Sequence, residues 1–229
     1  MLREAYFRLF DRRLLKDGDA RRGEFSGQLP EGLPPHGMKG HPSHTFVRSK
    51  EFLAFRQLPL FRSMAEAILG APVKSVWRTP LRHFIVGSKL ASRAHTDRTY
   101  LDCDIGSCVT IWVPLGDCPL QAGGLLYLEN SHEDAEIEPM ARALGPTDRV
   151  EDRRPLTHDL KWLADATGRR WLGADYAAGD IVLHSPNIVH ASTDSQTDLM
   201  RVSIDIRFLR EDARCDPRWQ EDWAADDGY

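Results

Sequence analysis

The chain has 229 residues, of which 41 % are apolar and 28 % charged, with a net charge of −4. This size and composition suit one globular domain with its own core. The basic residues occur as isolated pairs, which argues against a nucleic-acid partner. No apolar run approaches the length of a membrane span, and a charged N-terminus without a signal-peptide layout predicts a cytoplasmic protein.

The N-terminal third predicts helices separated by an irregular segment. Apolar residues at helical spacing indicate an amphipathic helix over residues 2–15. Residues 17–48 are rich in Gly, Pro, His and Ser, and their stretch 36–44 is interpreted either as a lid over a binding site or as a solvated loop. Residues 50–69 again predict a helix, which Pro59 should break or kink.

From residue 73 onward the pattern changes to short apolar or alternating runs separated by turn residues. The predicted strands cover residues 73–77, 83–86, 109–115, 125–128, 180–184 and 202–209. A helix is expected over residues 158–166, after a charged loop at 132–155. We therefore predict a single domain with a helical part (1–70), an antiparallel sandwich or barrel core (73–210) and a tail (211–229).

Three polar residues have the composition of a metal site. Two histidines and one carboxylate form the facial ligand set of non-haem Fe(II) enzymes. Residues two apart on a strand point to one side, so His95 and Asp97 could reach one ion, with His190 arriving from another strand. The short His-x-Asp motif also occurs at His132 and Asp134, but there it opens a charged loop, so we favour the first.

The run that begins at Arg201 alternates, so Arg201, Ser203 and Asp205 should share one face of a strand. An inward arginine is costly unless it meets an anion, and its planar fork suits a carboxylate. The anion is either a dicarboxylate such as 2-oxoglutarate, bound to the metal at its other end, or a protein carboxylate, from Asp205 or Asp198.

Several motifs occur in an order typical of a known family. They are Ala-His-Thr-Asp at 94–97, Ile-Trp-Val-Pro-Leu at 111–115, Gly-Gly-Leu-Leu-Tyr-Leu-Glu-Asn-Ser-His at 123–132, Gly-Asp-Ile-Val-Leu-His-Ser at 179–185, His-Ala-Ser at 190–192 and Arg-Val-Ser at 201–203. Over roughly residues 75–210 the chain thus resembles the phytanoyl-CoA dioxygenase family of Fe(II)/2-oxoglutarate oxygenases.

The resemblance implies a mainly β fold with flanking helices, whose core is a double-stranded β-helix (a jelly roll, as in cupins). The site residues that it implies are the iron ligands His95, Asp97 and His190, the 2-oxoglutarate anchors Arg201 and Ser203, and, by position, the pocket residues Thr110 and Trp112. Two departures stand out. The chain starts directly in the first helix, so we expect that the strand which usually precedes it is missing or that the start has been shortened. His184 stands where an apolar or aromatic residue is more common and is a second ligand candidate.

The resemblance also implies the chemistry: Fe(II), 2-oxoglutarate and O₂, with ascorbate as a reductant in vitro, oxidise a C–H bond of a small molecule. Halogenating relatives replace the carboxylate ligand with a small residue, so Asp97 favours a hydroxylase, desaturase or oxidative cyclase. Size and pattern resemble oxygenases of antibiotic pathways, including the orthosomycin enzymes that form orthoesters or methylenedioxy bridges on sugars. Alternatives are a hydroxylase of an amino acid or other small metabolite, and a cupin-like metal-binding protein without 2-oxoglutarate turnover.

The N-terminal loop and the insert at 132–178 are the natural lid elements, and they carry many polar groups, which suggests a polar substrate rather than a fatty acyl chain. These groups are His36, Lys39, His41, His44, Arg142, Asp148, Arg149, Arg153, His158 and Lys161. Four cysteines, at positions 103, 108, 118 and 215, form no C-x-x-C pair and are expected to be free thiols. The sequence leaves the oligomeric state open.

Overall fold

The computed structural model describes residues 2–88, 91–146 and 154–222. Its longest strand, β8, lies at the centre of a five-stranded antiparallel sheet, next to β1, β2 and β3, and β6 pairs with the other edge of β3. The strands of this sheet are β1 (Val73–Ser75), β2 (Leu81–Phe84), β3 (Cys108–Pro114), β6 (Val182–His184) and β8 (Arg201–Arg210).

A second, three-stranded antiparallel sheet has the order β5-β4-β7. Its strands are β4 (Leu125–Leu128), β5 (Trp171–Gly173) and β7 (His190–Ser192). The two sheets are joined through side chains, because Arg201 of β8 donates a hydrogen bond to Ser192 of β7. This arrangement of antiparallel sheets with flanking helices confirms the predicted fold class.

Seven α-helices flank the sheets in the described part of the chain. They are α1 (Leu2–Phe7), α2 (Pro42–Phe46), α3 (Lys50–Arg56), α4 (Pro59–Leu69), α5 (Asp97–Leu101), α6 (Ile137–Leu144) and α7 (Leu160–Thr167). The first four pack with one face of the larger sheet into the main hydrophobic cluster, where Phe7, Phe46 and Phe61 contact the layer that contains Ile204 and Ile206. The predicted interruption at Pro59 is confirmed, since α3 ends before it and α4 begins with it.

The first predicted helix is shorter than expected. α1 ends at Phe7, and a separate 3-10 turn follows at Arg12–Leu14. The cause is local: the side chain of Asp11 accepts a hydrogen bond from the backbone N–H of Arg13 and so starts a new turn. Apolar residues of this stretch nevertheless face the core, since Tyr6 and Leu14 are both fully buried.

Five short elements were not predicted: α2, α5, α6, β5 and β7. The charged loop expected at 132–155 contains the helix α6, whose eight residues bury Ile137 and Ala141 on one face. β5 and β7 have three residues each, too few to show an alternating pattern. The other predicted strands are present with shifted ends, and the helix expected at 158–166 is α7.

The histidine-rich segment 36–44 is in part packed into the core, and is neither an open lid nor a solvated loop throughout. His41 is buried, and its ring lies 4.9 Å from that of His36 and 6.1 Å from that of His83 on β2. Burial lowers the pKa of His41 to about 4 and that of His83 to about 3, so both rings are neutral. The structure thus removes His36 and His41 from the polar groups that were taken as evidence of substrate polarity.

The cysteines and the helices agree with the expectations from composition. All four cysteines are free thiols. Among the residues that the structure describes, no helix combines the length and the apolar character needed to cross a membrane. Trp219 of the C-terminal tail packs beside the cluster of Leu101 and Leu209 and so caps this part of the core.

The burial of Ile206 on the core-facing side of β8 can be tested by comparing it with an exposed isoleucine on α4, each changed to alanine. Ile206→Ala removes a fully buried side chain of the main cluster and should cost about 2–5 kcal/mol in the free energy of unfolding. Ile68→Ala removes a side chain on α4 that is 62 % exposed and should change stability by less than about 0.5 kcal/mol. Urea unfolding followed by circular dichroism measures both, and equal losses would contradict the assignment of faces.

Candidate metal centre and co-substrate pocket

The two predicted histidine ligands lie opposite each other because the backbone pairs them. The N–H of His95 donates to the carbonyl of His190, and the N–H of His190 donates to the carbonyl of His95, each at 3.0 Å. This reciprocal pattern defines a hydrogen-bonded antiparallel pair, whose side chains stand on one face. The ring centroids are accordingly 4.2 Å apart.

Asp97 joins this pair from the start of a helix. The prediction that His95 and Asp97 share a strand was wrong in its element, since Asp97 is the first residue of α5. The expected same-side geometry is nevertheless present, because Thr96 between them has an extended backbone (φ −109°, ψ 141°). Oδ1 of Asp97 lies 3.9 Å from Nε2 of His190, and one ligand atom from each of the three residues lies within 4.8 Å of the others.

Both imidazoles are oriented by backbone carbonyls. Nδ1 of His95 lies 2.6 Å from the carbonyl of Arg93, and Nδ1 of His190 lies 3.1 Å from the carbonyl of Ile188. A carbonyl only accepts, so in each ring Nδ1 carries the proton and Nε2 keeps its lone pair. A hydrogen bond from the ring nitrogen that does not bind the metal is usual for metal-binding histidines. Burial lowers the pKa of His190 to about 4 and that of His95 well below its usual value, so both rings are neutral near pH 7.

The carboxylate of Asp97 is fully buried and held on both oxygens. Arg207 donates from Nη2 to Oδ1 at 2.7 Å, and Thr110 donates to Oδ2 at 2.6 Å. Nε2 of His184 lies 3.3 Å from the same Oδ2. Burial alone would raise the pKa of Asp97, but the charge of Arg207 and the contact with His184 bring it well below its usual value. The carboxylate is therefore ionised and fixed in one orientation.

His184 lies behind Asp97 and is not a member of the ligand group. Its Nδ1 lies 2.8 Å from the hydroxyl of Tyr127, and its Nε2 faces Asp97 rather than the space between the other two imidazoles. The competing His-x-Asp motif is on the surface, where the side chain of His132 is 42 % exposed and lies beside Glu133. The preference for the motif at His95 agrees with this geometry.

Arg201 is buried and points across the pocket, as its alternation with Ser203 predicted. Its guanidinium donates to the carbonyl of Gly123 at 2.5 Å and to the hydroxyls of Ser192 and Ser203 at 2.8 and 2.9 Å. Its Nε has no partner, and no described carboxylate pairs with it. The two alternative acids are engaged elsewhere: Asp205 lies 3.6 Å from Arg207, and Asp198 lies 4.0 Å from Lys16.

The two remaining predicted pocket residues have different roles. Trp112 faces the pocket: the Arg201 guanidinium lies 5.5 Å from its ring, and its buried indole N–H has no partner. Thr110 lies deeper and donates to Asp97, so the structure gives it a contact with the metal site rather than with the co-substrate. β3 carries both residues on one face, two positions apart.

The residues fit both iron and 2-oxoglutarate. Two neutral imidazoles with free Nε2 atoms and one ionised carboxylate make a facial donor set that suits Fe(II). A buried guanidinium with an orphaned Nε, next to an orphaned indole N–H, needs an acceptor with negative charge. A carboxylate at this position would satisfy both donors.

Sequence reasoning missed three residues of the site: Arg207, Phe84 and Ser192. Arg207 could have been found, because it continues the alternation of Arg201, Ser203 and Asp205 on the same strand face. Phe84, whose ring lies 4.4 Å from the Arg201 guanidinium, and Ser192 belong to other strands, and only the fold brings them there.

Comparison with known proteins identifies the family. The model of the phytanoyl-CoA dioxygenase (PhyH) family matches residues 36–203, most of the chain. The chain belongs to this family. The resemblance stated from the sequence motifs is therefore confirmed. The three candidate metal ligands, His95, Asp97 and His190, all lie within the matched segment. None of the curated proteins compared with the chain matches it significantly.

Solved structures of similar fold include enzymes of nogalamycin biosynthesis. The non-heme alpha ketoglutarate dependent carbocyclase SnoK from nogalamycin biosynthesis is 21 % identical, with a TM-score of 0.58 over 76 % of this chain and 64 % of its own. The epimerase SnoN, in complex with Fe3+, alpha ketoglutarate and nogalamycin RO, is 18 % identical, with a TM-score of 0.56 over 74 % and 62 %. EvdO2 from Micromonospora carbonacea var. aurantiaca, complexed with 2-oxoglutarate, is 22 % identical, with a TM-score of 0.51 over 78 % and 69 %.

These likenesses establish the fold that the PhyH domain of this chain shares with them. The chain spans less than two thirds of the length of SnoK and SnoN. The iron and the 2-oxoglutarate present in the SnoN and EvdO2 structures agree with the cofactors expected for this chain and with its His-Asp-His cluster.

The interaction energy of the ion pair between Arg207 and Asp97 can be measured with a double-mutant cycle on the metal-free protein. Breaking a buried ion pair leaves an unpaired charge, so Arg207→Gln and Asp97→Asn should each cost about 3–5 kcal/mol in the free energy of unfolding. The double variant should lose less than the sum, with a coupling of at least about 1.5 kcal/mol.

The matched control is the exposed pair of Arg170 and Glu129, which are 2.9 Å apart on the surface. The same cycle with Arg170→Gln and Glu129→Gln should give a coupling close to zero, because water screens the pair. Additive losses for the buried pair, in urea titrations of the same quality, would mean that Arg207 does not hold Asp97.

Proposed function

We propose that this PhyH-family protein is an Fe(II)- and 2-oxoglutarate-dependent oxygenase that oxidises a C–H bond of a polar small molecule. One observation carries the proposal. One ligand atom from each of His95, Asp97 and His190 lies within 4.8 Å of the others, and the buried Arg201 has an unpartnered Nε and no carboxylate partner among the described residues.

In this proposal His95, Asp97 and His190 hold the iron. The carbonyls behind the imidazoles fix the ring orientation and keep the proton on Nδ1, away from the metal. Arg207 and Thr110 keep the carboxylate ionised and hold it in place before any metal arrives. These contacts reduce the reorganisation that metal binding requires.

Arg201 and Ser203 are proposed to bind the far carboxylate of 2-oxoglutarate, with the indole N–H of Trp112 within the same pocket. Phe84 and Trp112 flank the Arg201 guanidinium with aromatic rings, which keeps water away from the ion pair. When bound, iron and 2-oxoglutarate supply the oxidising chemistry, in which O₂ and 2-oxoglutarate give succinate and CO₂ while one oxygen atom is available for the substrate.

The ligand set and the fold support a narrower proposal for the reaction. A carboxylate at position 97 leaves no ligand position vacant for a halide, which favours hydroxylation or oxidative cyclisation. The similar folds of SnoK, described as a carbocyclase from nogalamycin biosynthesis, and of EvdO2 support a role in specialised antibiotic metabolism. Orthoester or methylenedioxy formation on a sugar, and hydroxylation of an amino acid or other small metabolite, both belong to this reaction class.

Succinate release without a prime substrate tests the proposal. Wild-type protein with Fe(II), ascorbate and 2-oxoglutarate should form succinate slowly, and His95→Ala should form none because a metal ligand is lost. The control is His132→Ala, which changes the exposed histidine of the competing motif and should match wild type. Mass spectrometry of labelled succinate measures all three.

The co-substrate site has its own readout in the same assay. Arg201→Gln removes a charged donor to the 2-oxoglutarate carboxylate and should raise the KM for 2-oxoglutarate at least about tenfold. Equal succinate from wild type and His95→Ala would refute the oxygenase. Metal binding without any succinate from wild type would instead favour the cupin-like protein that binds a metal without turnover.

A further inference from the structure

A second guanidinium, that of Arg82, lies beside the proposed 2-oxoglutarate anchor. Arg82 on β2 pairs directly with Ser203 on β8, so both side chains stand on the same face of the sheet. Ser203 accepts a hydrogen bond from Arg201, and Phe84, two residues along β2, covers the Arg201 guanidinium at 4.4 Å. The register therefore places Arg82 on the pocket side.

The alternation along β2 supports this orientation. Leu81 and His83 belong to the opposite face, where His83 is buried against the N-terminal helices and its Nδ1 lies 3.0 Å from the hydroxyl of Tyr6. Arg82 between them is partly exposed, in contrast to Arg201, which is only 2 % exposed. Arg82 thus lies nearer to solvent than the anchor does.

The positive charge of Arg82 affects the pKa values of three groups, which lie on three different segments. Burial is the main cause of the lowered pKa values of His95, Arg201 and His36, and the positive charge of Arg82 lowers each of them further. His95 belongs to the metal centre, Arg201 to the co-substrate site and His36 to the N-terminal segment. Arg82 therefore lies among these three sites.

No hydrogen bond or ion pair joins Arg82 to any described residue. Asp97 and Asp205 both pair with Arg207, at 2.7 and 3.6 Å. Two cations of the pocket, Arg201 and Arg82, are thus left without a carboxylate. One molecule of 2-oxoglutarate brings two carboxylates, of which one goes to the metal and one to Arg201. The guanidinium of Arg82 is then available to pair with a further anion.

We propose that Arg82 binds an oxyanion of the prime substrate, a carboxylate or a phosphate, and so makes the protein selective for acidic substrates. This inference rests on the proposed function, because it assigns Arg201 to 2-oxoglutarate. It adds a new indicator of the substrate class to the polar groups of the N-terminal segment, from which the structure removes His36 and His41.

The test uses the full-length protein loaded with Mn(II) and 2-oxoglutarate, and two probes: acetate and inorganic phosphate. The paramagnetic ion broadens the ¹³C or ³¹P signal of a probe that binds near it. Wild type should show saturable broadening by at least one probe, and the preferred probe tells a carboxylate site from a phosphate site. Arg82→Gln should weaken that binding at least about tenfold, because a charged hydrogen-bond donor is lost.

Two variants serve as controls. Arg82→Lys keeps the charge and should retain most of the binding, and Arg170→Gln removes an exposed arginine paired with Glu129 on the surface and should change nothing. Circular dichroism checks that Arg82→Gln is folded, as expected for a partly exposed side chain without a partner.

The outcomes separate this inference from the proposed function. Equal broadening in wild type and Arg82→Gln, or no saturable broadening in wild type, overturns the role of Arg82. A loss of 2-oxoglutarate affinity in Arg82→Gln as large as in Arg201→Gln also overturns it, because Arg82 would then belong to the co-substrate. If wild type forms no succinate from 2-oxoglutarate in the assay described above, the oxygenase proposal itself fails.

Discussion

Two backbone hydrogen bonds between His95 and His190 are the constraint on which the site depends. They hold residues 95 positions apart in sequence as direct neighbours, so the ring separation is set by sheet geometry and not by flexible side chains. Asp97 follows after a single extended residue, which brings its carboxylate to the same side. A preformed donor set of this kind binds a metal with little loss of conformational freedom.

The charges around this donor set are arranged in two layers. Asp97, with Arg207 behind it, forms a buried ion pair that is complete within the protein. Arg201 and Arg82 lie on the pocket side without carboxylate partners. Arg201 is buried, and a buried cation without an anion is costly, whereas Arg82 is partly exposed. The fold thus leaves positive charge where a co-substrate and, in our proposal, an acidic substrate would bring negative charge. The arrangement favours ligand binding more than protein stability.

How much could be predicted from sequence depended on the range of the signals. Motifs in a fixed order identified the family, the jelly-roll core and the cluster of His95, Asp97 and His190, and alternation placed Arg201 and Ser203 on one face. Two kinds of feature were missed. β7 is too short for its sequence to show a period, and the packing of His36 and His41 against His83 is a tertiary contact that no local signal shows. Thr110 was expected in the co-substrate pocket by position, and its contact with Asp97 depends on the tertiary fold.

The central claim is that one ion binds between His95, Asp97 and His190, and a crystal structure with Zn(II) as a redox-silent substitute tests it most directly. The account predicts one anomalous peak within about 2.0–2.2 Å of both Nε2 atoms and of one oxygen of Asp97. An ion bound elsewhere, coordination through Nδ1, or a carboxylate of Asp97 that contacts only Arg207 would contradict it.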